Sequence, residues 1–394
     1  MSAFVSLQNV YRAAHRRSRL WACPRSLAIF LLALAVTLAG GLLPAQSAHA
    51  QAPLPIIVDT DAGVDDALAL LWLLRQDQRP LQVLGVVSVF GNTDVNNTTN
   101  NVLYVLALAG RSDIQVVKGA AAPLVRQPTL TGWFLHGPDG LWGLGAQNPQ
   151  DQSGVSTDAV GFYCATAAAN PGATLLALGP ATNIAQAAAA CPDSMRTLNI
   201  VLLGGAKGGG NKTPVAEANF WSDPDAVQQV LNAGLRPTIL PFDAFSTLRT
   251  DAKDIDKLLR KSSPTAQMLA PAVLQYVNVQ LQFTGVAVLP DLTAAVYAVD
   301  PSLGGPVSAL IKMMSEDGIS RGQSLVALTM AERIALIIDD AEFSQLAIRA
   351  FTEPGFDLGA ALGEILAREP DNAWFVPAVD NKAVWQAVER GLRN

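Results

Sequence analysis

Four aspartates lie within eight positions of one another, directly after an apolar run that has the character of a buried strand. They are Asp59, Asp61, Asp65 and Asp66, in the segment PIIVDTDAGVDDALALLWLL, which contains no lysine or arginine. Like charges this close repel one another, and a buried carboxylate is costly unless a positive charge compensates it. We therefore expect a metal ion, or a basic residue from elsewhere in the chain, to neutralise this segment.

The side chains of this segment indicate a hard cation. Asp61, Asp65 and Asp66 come from one short turn that contains neither histidine nor cysteine, which suits Ca2+ or Mg2+. Asp65 and Asp66 begin a predicted helix, where main-chain N–H groups favour negative charge, so helix capping is the alternative interpretation for those two. Asp59 alternates toward the core side of its strand, and we expect it to hold the loop by hydrogen bonds.

A second polar motif follows a glycine-rich loop. The segment GGNKTPVAEANFWSDPDA, residues 209–226, contains Asn211, Glu217 and Asn219. Amide and carboxylate groups at this spacing can donate to and accept from several neighbouring hydroxyl groups, as sugar binding requires. The alternative is an ordinary polar loop followed by a helix capped at Asp223.

The elements that must position these residues form an α/β pattern. Short runs of Val, Ile and Leu alternate with helical patterns, which predicts a mostly parallel central sheet flanked by helices. Ligands bind beyond the carboxyl ends of such strands, and here the strand ends are polar or rich in glycine. The residues expected to converge on one pocket are Asp59, Asp61, Gly91, Asn92, Gly179, 208–211 and Asp243.

Composition restricts the class of partner. Of the 394 residues, half are apolar and only 15% are charged, which allows a large core. The formal net charge of −6 provides no basic footprint for nucleic acid, so we expect no nucleic-acid partner.

Residues 1–50 have the order of a secretory signal peptide. A basic start is followed by the apolar run LAIFLLALAVTLAGGLL and then by Ala48-His49-Ala50, an A-x-A-type cleavage site. The alternative is an uncleaved membrane anchor, for which the apolar run is short. We predict a mature protein that begins near Gln51, is periplasmic or secreted, and keeps no stable membrane anchor.

Removal of the predicted signal peptide determines which cysteines and histidines the mature protein keeps. The segment after residue 50 contains Cys164 and Cys191, which form either a disulfide or two buried free thiols. It contains one histidine, His136, which excludes a metal site built from several histidines.

The motifs, in this order, resemble those of the nucleoside hydrolase family, the inosine–uridine-preferring N-ribohydrolases. DTDAGVDDALAL is similar to the N-terminal signature of that family, and VFGN, GPATNIA and the N-x5-E-x-N arrangement follow in the family's order. Weaker matches continue to residue 380. The resemblance therefore implies one Rossmann-like nucleoside hydrolase domain over 51–394, in which 338–371 is interpreted as a helical insertion.

The resemblance implies a chemistry and a set of site residues. It implies Ca2+-dependent hydrolysis of ribonucleosides to ribose and base, as in purine or pyrimidine salvage, with Asp61 as the general base and Asn92 near the ribose and the attacking water. The implied calcium ligands are Asp61, Asp66, Asp291 and the main-chain carbonyl of Leu178. The implied ribose ligands are Asp65, Asn211, Glu217 and Asn219. Family members are commonly dimers or tetramers, so a homo-oligomer is also implied.

The contacts to the base are expected from the segment TLTGWFLHGPDGLWGLG, residues 129–145. His136 fits the family's H-G-x-x-G-L loop, and Trp133, Phe134 and Trp142 offer aromatic faces that can stack on a nucleobase. The alternative is a loop packed by its own aromatic side chains.

One departure from the family affects the leaving base. The family often has histidine directly before the last metal ligand, whereas this chain has Pro290 before Asp291, and proline cannot protonate a departing base. This departure leaves base preference open and motivates a second hypothesis, an exported ribose- or nucleoside-binding protein without turnover. A third is a Mg2+-dependent phosphatase of the haloacid dehalogenase type that uses Asp59 and Asp61, but that scheme has no role for the N-x5-E-x-N arrangement.

Overall fold

A nine-stranded sheet lies at the centre of the computed structural model, which describes residues 52–126 and 132–394. The predicted signal peptide and cleavage site lie outside these residues. Two further short strands, β7 and β8, pair with each other. In chain order the strands are β1 (Leu54–Thr60), β2 (Leu81–Ser88), β3 (Val116–Lys118), β4 (Thr174–Ala177), β5 (Asn199–Leu203), β6 (Thr238–Leu240), β7 (Arg249–Thr250), β8 (Ala287–Val288), β9 (Val307–Met313), β10 (Ser324–Ala327) and β11 (Ala373–Phe375).

The strand order is β10-β9-β11-β6-β5-β4-β1-β2-β3, and β9 is antiparallel to both of its neighbours, while the other pairs are parallel. This confirms the prediction of a mostly parallel central sheet. The chain runs outward in one direction through β2 and β3 and then returns to add β4 on the other side of β1. The carboxyl ends of β1 and β4 therefore form the topological switch point, where an open α/β sheet leaves a crevice for a ligand.

Helices flank the sheet on both faces. They are α1 (Val64–Arg75), α2 (Val95–Leu108), α3 (Trp133–His136), α4 (Leu144–Gln147), α5 (Ala159–Ala169), α6 (Thr182–Ala190), α7 (Pro192–Met195), α8 (Ala218–Ser222), α9 (Pro224–Asn232), α10 (Phe242–Phe245), α11 (Ala252–Arg260), α12 (Pro264–Gln267), α13 (Ala270–Thr284), α14 (Pro290–Val299), α15 (Met330–Ile337), α16 (Asp340–Thr352), α17 (Leu358–Arg368) and α18 (Asn381–Arg393), and Pro301–Leu303 forms a 3-10 turn. None of these helices is both long and apolar enough to cross a membrane.

The two faces of β1 belong to two different apolar cores. Ile56 and Val58 pack in the core that contains α1 and α14, whereas Ile57 packs in the core that contains α5, α6 and α9. This alternation follows from the two-residue repeat of a strand, because β1 is covered on both faces. It also places Asp59 on the same side as Ile57.

Asp59 joins β1 to two helices. One of its carboxylate oxygens accepts hydrogen bonds from the Tyr163 hydroxyl of α5 at 2.5 Å and from the Asn183 amide of α6 at 2.8 Å. Burial raises the pKa of Asp59 to about 6. The prediction that Asp59 makes structural hydrogen bonds is confirmed, although its partners lie on these helices and not in the loop.

The same two helices are joined covalently. Cys164 of α5 and Cys191, the residue after α6, form a disulfide with their Cα atoms 5.8 Å apart. The sequence allowed either a disulfide or two buried free thiols, and the structure contains the disulfide.

Residues 338–371 contain a helix pair, α16 and α17. With α15 they enclose a small apolar cluster of Ile334, Ile338, Leu346 and Ile365. The segment is therefore helical, and its interpretation as an insertion stays a prediction.

Candidate active site

A cavity of about 530 Å³ lies at the carboxyl ends of the central strands. Of the predicted catalytic, metal-binding and substrate-binding residues, only Asp66 and Trp133 do not line it, and of the strand-end residues expected at the pocket, Asp59, Gly179, Gly208, Gly209 and Asp243 do not. The predicted residues that line the cavity are Asp61, Asp65, Asn92, His136, Leu178, Asn211, Glu217, Asn219 and Asp291. Polar side chains from segments far apart in sequence thus meet at one place, as the polar strand ends predicted.

Asp66 is buried and organises the turn between β1 and α1. Its carboxylate accepts hydrogen bonds from the Thr60 hydroxyl at 2.6 Å, from the Gly63 main-chain N–H at 3.0 Å and from the Asn92 amide at 3.0 Å. Capping of α1 therefore accounts for part of its role. Burial and the charge of Asp65 raise the pKa of Asp66 to about 7.

Asp61 faces the cavity and is oriented by the segment after β2. The Asn92 main-chain N–H donates to its Oδ2 at 2.9 Å. A side chain at Gly91 would collide with the Asp61 carboxylate, so glycine is required at this close approach. Burial and the charge of Asp66 raise the pKa of Asp61 well above its usual range.

Three buried carboxylates form a compact oxygen cluster. Oxygens of Asp65, Asp66 and Asp291 lie within 4.8 Å of one another. The Tyr276 hydroxyl donates to Asp65 Oδ2 at 2.9 Å, while Asp65 Oδ1 is buried and has no hydrogen-bond partner. Burial, together with the other carboxylates, raises the pKa of Asp291 well above its usual range. An all-oxygen cluster with an orphaned oxygen suits a divalent cation, so these residues can hold one.

This cluster contains two of the four predicted calcium ligands, Asp66 and Asp291. It contains Asp65, which was expected to hold ribose, and it does not contain Asp61. The Leu178 carbonyl, another predicted ligand, accepts a hydrogen bond from the Asn219 amide at 2.6 Å. That amide also donates to the Leu203 carbonyl at 3.1 Å, and it thereby joins the ends of β4 and β5.

Glu217 and Asn211 shape the loop between β5 and α8. Glu217 is buried and accepts hydrogen bonds from the main-chain N–H groups of Gly205, Asn219 and Phe220 at 2.9–3.1 Å, so it caps α8. Burial outweighs these bonds and raises the pKa of Glu217 to about 7. Asn211 Oδ1 accepts from the Ala218 N–H at 2.9 Å, which leaves its amide hydrogens for other acceptors.

His136 is buried against the turn that contains the aspartates. Its Nδ1 accepts a hydrogen bond from the Val64 N–H at 3.1 Å and lies 3.8 Å from Asp65 Oδ1. Its ring centroid is 5.0 Å from that of Tyr276. Burial lowers the pKa of His136, and Asp65 opposes that shift.

Of the aromatic side chains near His136 in sequence, Phe134 lines the cavity, whereas Trp133 and Trp142 do not. Phe134 lines the cavity, and its ring is 6.2 Å from that of Phe283 in an edge-to-face contact. Trp133 is 53% exposed and is not among the cavity-lining residues. Trp142 donates to the Leu135 carbonyl at 2.8 Å, as expected for a loop packed by its own aromatics.

Some residues that line the cavity cannot be predicted from the sequence around them. Tyr276, Gln280 and Phe283 come from α13, and Arg249 comes from β7. Tyr276 is 211 positions from the Asp65 that it contacts. A helical pattern predicts that α13 exists, but it does not show which distant turn the helix will meet.

The phosphatase hypothesis is not supported by this geometry. That hypothesis needs Asp59 and Asp61 to act together, but Asp59 bonds to α5 and α6 while Asp61 lines the cavity. The two-residue alternation of β1 separates their side chains.

Comparison with known proteins identifies the family. Residues 56–386 match the inosine-uridine preferring nucleoside hydrolases. The chain is 32% identical to the pyrimidine-specific ribonucleoside hydrolase RihA of Shewanella woodyi over 69% of this chain and 88% of that protein. It is 34% identical to probable uridine nucleosidase 2 of Arabidopsis thaliana, over 69% of this chain and 85% of that protein.

A solved structure agrees with this result. The chain is similar to a plant nucleoside hydrolase, PpNRh1, with a TM-score of 0.72 and 27% identity over 86% of this chain and 99% of that one. The cavity with its cluster of carboxylates and the sequence match over most of the length lead to one assignment. The chain belongs to the inosine-uridine preferring nucleoside hydrolase family and is a hydrolase that acts on the N-glycosyl bonds of ribonucleosides.

Proposed function

We propose that this enzyme hydrolyses ribonucleosides with Ca2+ as its cofactor and Asp61 as its general base. The observation that carries the proposal is the cluster of Asp65, Asp66 and Asp291, with its orphaned oxygen. Two of its members, Asp65 and Asp291, line the same cavity as Asp61 and Asn211. When bound, Ca2+ would anchor hydroxyl groups and lower the pKa of water.

Asp61 is suited to accept a proton. The Asn92 N–H fixes one of its carboxylate oxygens, and the carboxylate faces the cavity. Cleavage of the bond between C1′ and the base builds positive, oxocarbenium-like charge on the ribose. The buried carboxylates around the sugar would stabilise that charge, and water that loses its proton to Asp61 would attack C1′ directly, without a covalent enzyme intermediate.

His136 is our candidate for assisting the leaving base in place of the residue that Pro290 cannot supply. Because Nδ1 accepts from the Val64 N–H, the ring proton of the neutral imidazole is on Nε2, and His136 lines the cavity together with Phe134. That N–H can donate to a ring nitrogen or carbonyl oxygen of the base as the base departs.

We further propose that the enzyme acts in nucleoside salvage in the periplasm or outside the cell. The bridge between Cys164 and Cys191 supports this location, because disulfides persist mainly in oxidising compartments.

The test is base and ribose release by the purified protein from a panel of purine and pyrimidine ribonucleosides. Each is assayed with Ca2+, with a chelator, and with Asp61→Ala. The matched control is Asp193→Ala, which removes an exposed carboxylate on α7. We expect Ca2+-dependent release that Asp61→Ala abolishes and Asp193→Ala retains. Ca2+-dependent binding of nucleosides without any release would overturn the proposal and favour a receptor.

A further inference from the structure

One wall of the cavity is the loop between β5 and α8, residues 204–217. Gly210, Asn211 and Glu217 of this loop line the cavity, and Asn219 follows in α8. The loop consists of bends and irregular backbone, so its shape depends on its contacts with other parts of the chain. Those contacts therefore determine where the amide of Asn211 lies relative to a bound sugar.

Four consecutive main-chain N–H groups near the start of this loop, those of residues 205–208, donate to side chains. The first donates to Glu217 at 2.9 Å and the second to the Ser324 hydroxyl at 2.9 Å. The third and fourth donate to the two carboxylate oxygens of Asp243, at 2.8 and 2.9 Å. The Ser324 hydroxyl also donates to the Ala206 carbonyl at 2.7 Å. Ser324 and Asp243 are not among the residues that line the cavity, so they affect it through the loop.

The residues just before Ser324 hold α8, the helix that follows the loop. Arg321 donates to the Trp221 carbonyl at 2.9 Å, and its guanidinium lies 5.6 Å from the centroid of the Trp221 ring. A side chain at Gly322 would place its Cβ 2.7 Å from the Trp221 Cα, so glycine is required at this close approach. Residues 321–324 therefore contact the chain on both sides of the loop, at Ala206 and at Trp221.

The two limbs of the loop meet beside Asn211. A Cβ on Gly210 would lie 2.1 Å from the Ala216 carbonyl oxygen, and the Lys212 main-chain N–H donates to that same carbonyl at 3.0 Å. Asn211 Oδ1 accepts from the Ala218 N–H at 2.9 Å. Asn211 is thus fastened between the limbs, and a shift of either limb would move its amide.

We infer that Ser324 and Arg321 are positioning residues for Asn211, so that β10 and the turn before it determine how the enzyme holds its substrate. The inference rests on the proposed function, with Asn211 as a ligand of the ribose. Loss of the Ser324 hydroxyl leaves the buried Ala206 N–H without its acceptor, and the loop must shift to satisfy it. A displacement of about 1 Å in a binding group can cost about 100-fold in rate.

The test is a double-mutant cycle between Ser324→Ala and Asn211→Ala, measured as kcat/KM for uridine and for inosine with Ca2+. We expect Ser324→Ala to lower kcat/KM by about 10-fold or more when Asn211 is present, and by less than about 2-fold in the Asn211→Ala background. A smaller folded fraction would lower kcat/KM by the same factor in both backgrounds. Thermal unfolding establishes that each variant is folded at the assay temperature.

Two further pairs of variants complete the experiment. Ser308→Ala is the matched control, because it removes a hydroxyl that bonds to Asp371 at 2.6 Å on β9, the strand beside β10. It should leave kcat/KM unchanged in both backgrounds. Arg321→Met removes the bond to the Trp221 carbonyl and should show the same dependence on Asn211 as Ser324→Ala. Its control is Arg111→Met, which removes an exposed cation outside the cavity.

The outcomes separate this inference from the proposed function. Base release that Ser324→Ala leaves unchanged, or lowers by equal factors in both backgrounds, would overturn the inference and leave the proposed function intact. If the protein binds nucleosides without release, the proposed function fails, and the same cycle measured on the Kd of uridine by calorimetry decides the inference. A loss of affinity that depends on Asn211 would then support it, and an additive loss would overturn it.

Discussion

His136 Nδ1 accepts a hydrogen bond from the main-chain N–H of Val64 at 3.1 Å. This single contact joins the only histidine of residues 51–394 to the first residue of the helix that contains Asp65 and Asp66. It leaves Nε2 as the protonated nitrogen of the neutral ring. The turn that positions the carboxylates therefore also fixes the orientation of the His136 ring.

Replacing His136 tests whether that N–H assists the leaving base. We expect both His136→Phe and His136→Gln to lower kcat by about 100-fold or more, since a lost proton donor costs that much in general acid catalysis. His136→Phe also leaves the Val64 N–H without its acceptor, which costs about 1–3 kcal/mol of stability. His136→Gln retains a possible acceptor for that N–H. Steady-state kinetics and urea denaturation separate the effects, and a kcat loss that tracks stability across the two variants would indicate a structural role only.

Pro290→His places a histidine where the family often has one. Pro290 is the first residue of α14, where the N–H has no partner within the helix, so its replacement should cost little stability. We expect kcat for inosine or uridine to rise by about 10-fold or more. The control substrate is 4-nitrophenyl ribofuranoside, whose leaving group departs as an anion, and the control variant is Pro290→Gln. Equal gains on both substrates would argue against proton donation by the new side chain.

The sequence predicts which segments form the site better than it predicts the contacts between their side chains. The strand runs and their polar ends are local patterns, and they place Asp61, Asn92 and Asn211 at one sheet edge as observed. The choice between Trp133 and Phe134 is not local, because adjacent residues of a helix point about 100° apart and only the packing of α3 decides which one faces the cavity. Phe134 does, and its partner Phe283 comes from a distant helix.

The sequence also does not show which aspartate of the turn after β1 lies close to Asp291. Asp61 and Asp65 both lie in that turn, and the sequence spacing allows either to approach Asp291. The direction of each carboxylate depends on the donors that surround it, the Asn92 N–H for Asp61 and the Tyr276 hydroxyl for Asp65. Those donors come from other elements, so the turn alone does not determine which carboxylates lie together.

Asp291→Asn should have opposite effects on stability without and with Ca2+. Without metal, buried like charges destabilise the fold, so the variant should be at least as stable as the unmodified protein in a chelator. With Ca2+ at 100 times its Kd, the unmodified protein should gain about 2.7 kcal/mol and the variant much less. Thermal unfolding with and without Ca2+ measures both effects, and Asp193→Asn is the matched control. An equal Ca2+-dependent rise in Tm for both proteins would exclude Asp291 as a ligand.

Reduction of the disulfide should lower stability and leave the cavity chemistry in place. The bridge closes a loop with a sequence separation of 27 residues, for which chain entropy predicts about 3–4 kcal/mol. Denaturant titration of the oxidised protein, of the reduced protein and of a Cys164→Ser, Cys191→Ser double variant should give one high and two similar lower free energies of unfolding. If the reductant destabilises the double variant as well, its effect does not arise from this bridge.

Glu217 should make the free energy of unfolding fall as pH rises from about 4.5 to about 7. Burial raises its pKa from the ordinary 4.5 to about 7, so the folded state binds a proton that the unfolded state releases between those values. Its stabilising contribution is therefore complete below pH 4.5 and is lost as pH rises through about 7. The difference in unfolding free energy between the unmodified protein and Glu217→Gln should shrink by up to about 3 kcal/mol over this window. Urea denaturation from pH 4 to 8 measures the difference, with Glu364→Gln as an exposed control that should show a flat profile. A difference that is constant or grows with pH would show that the three main-chain N–H bonds to Glu217 outweigh its burial.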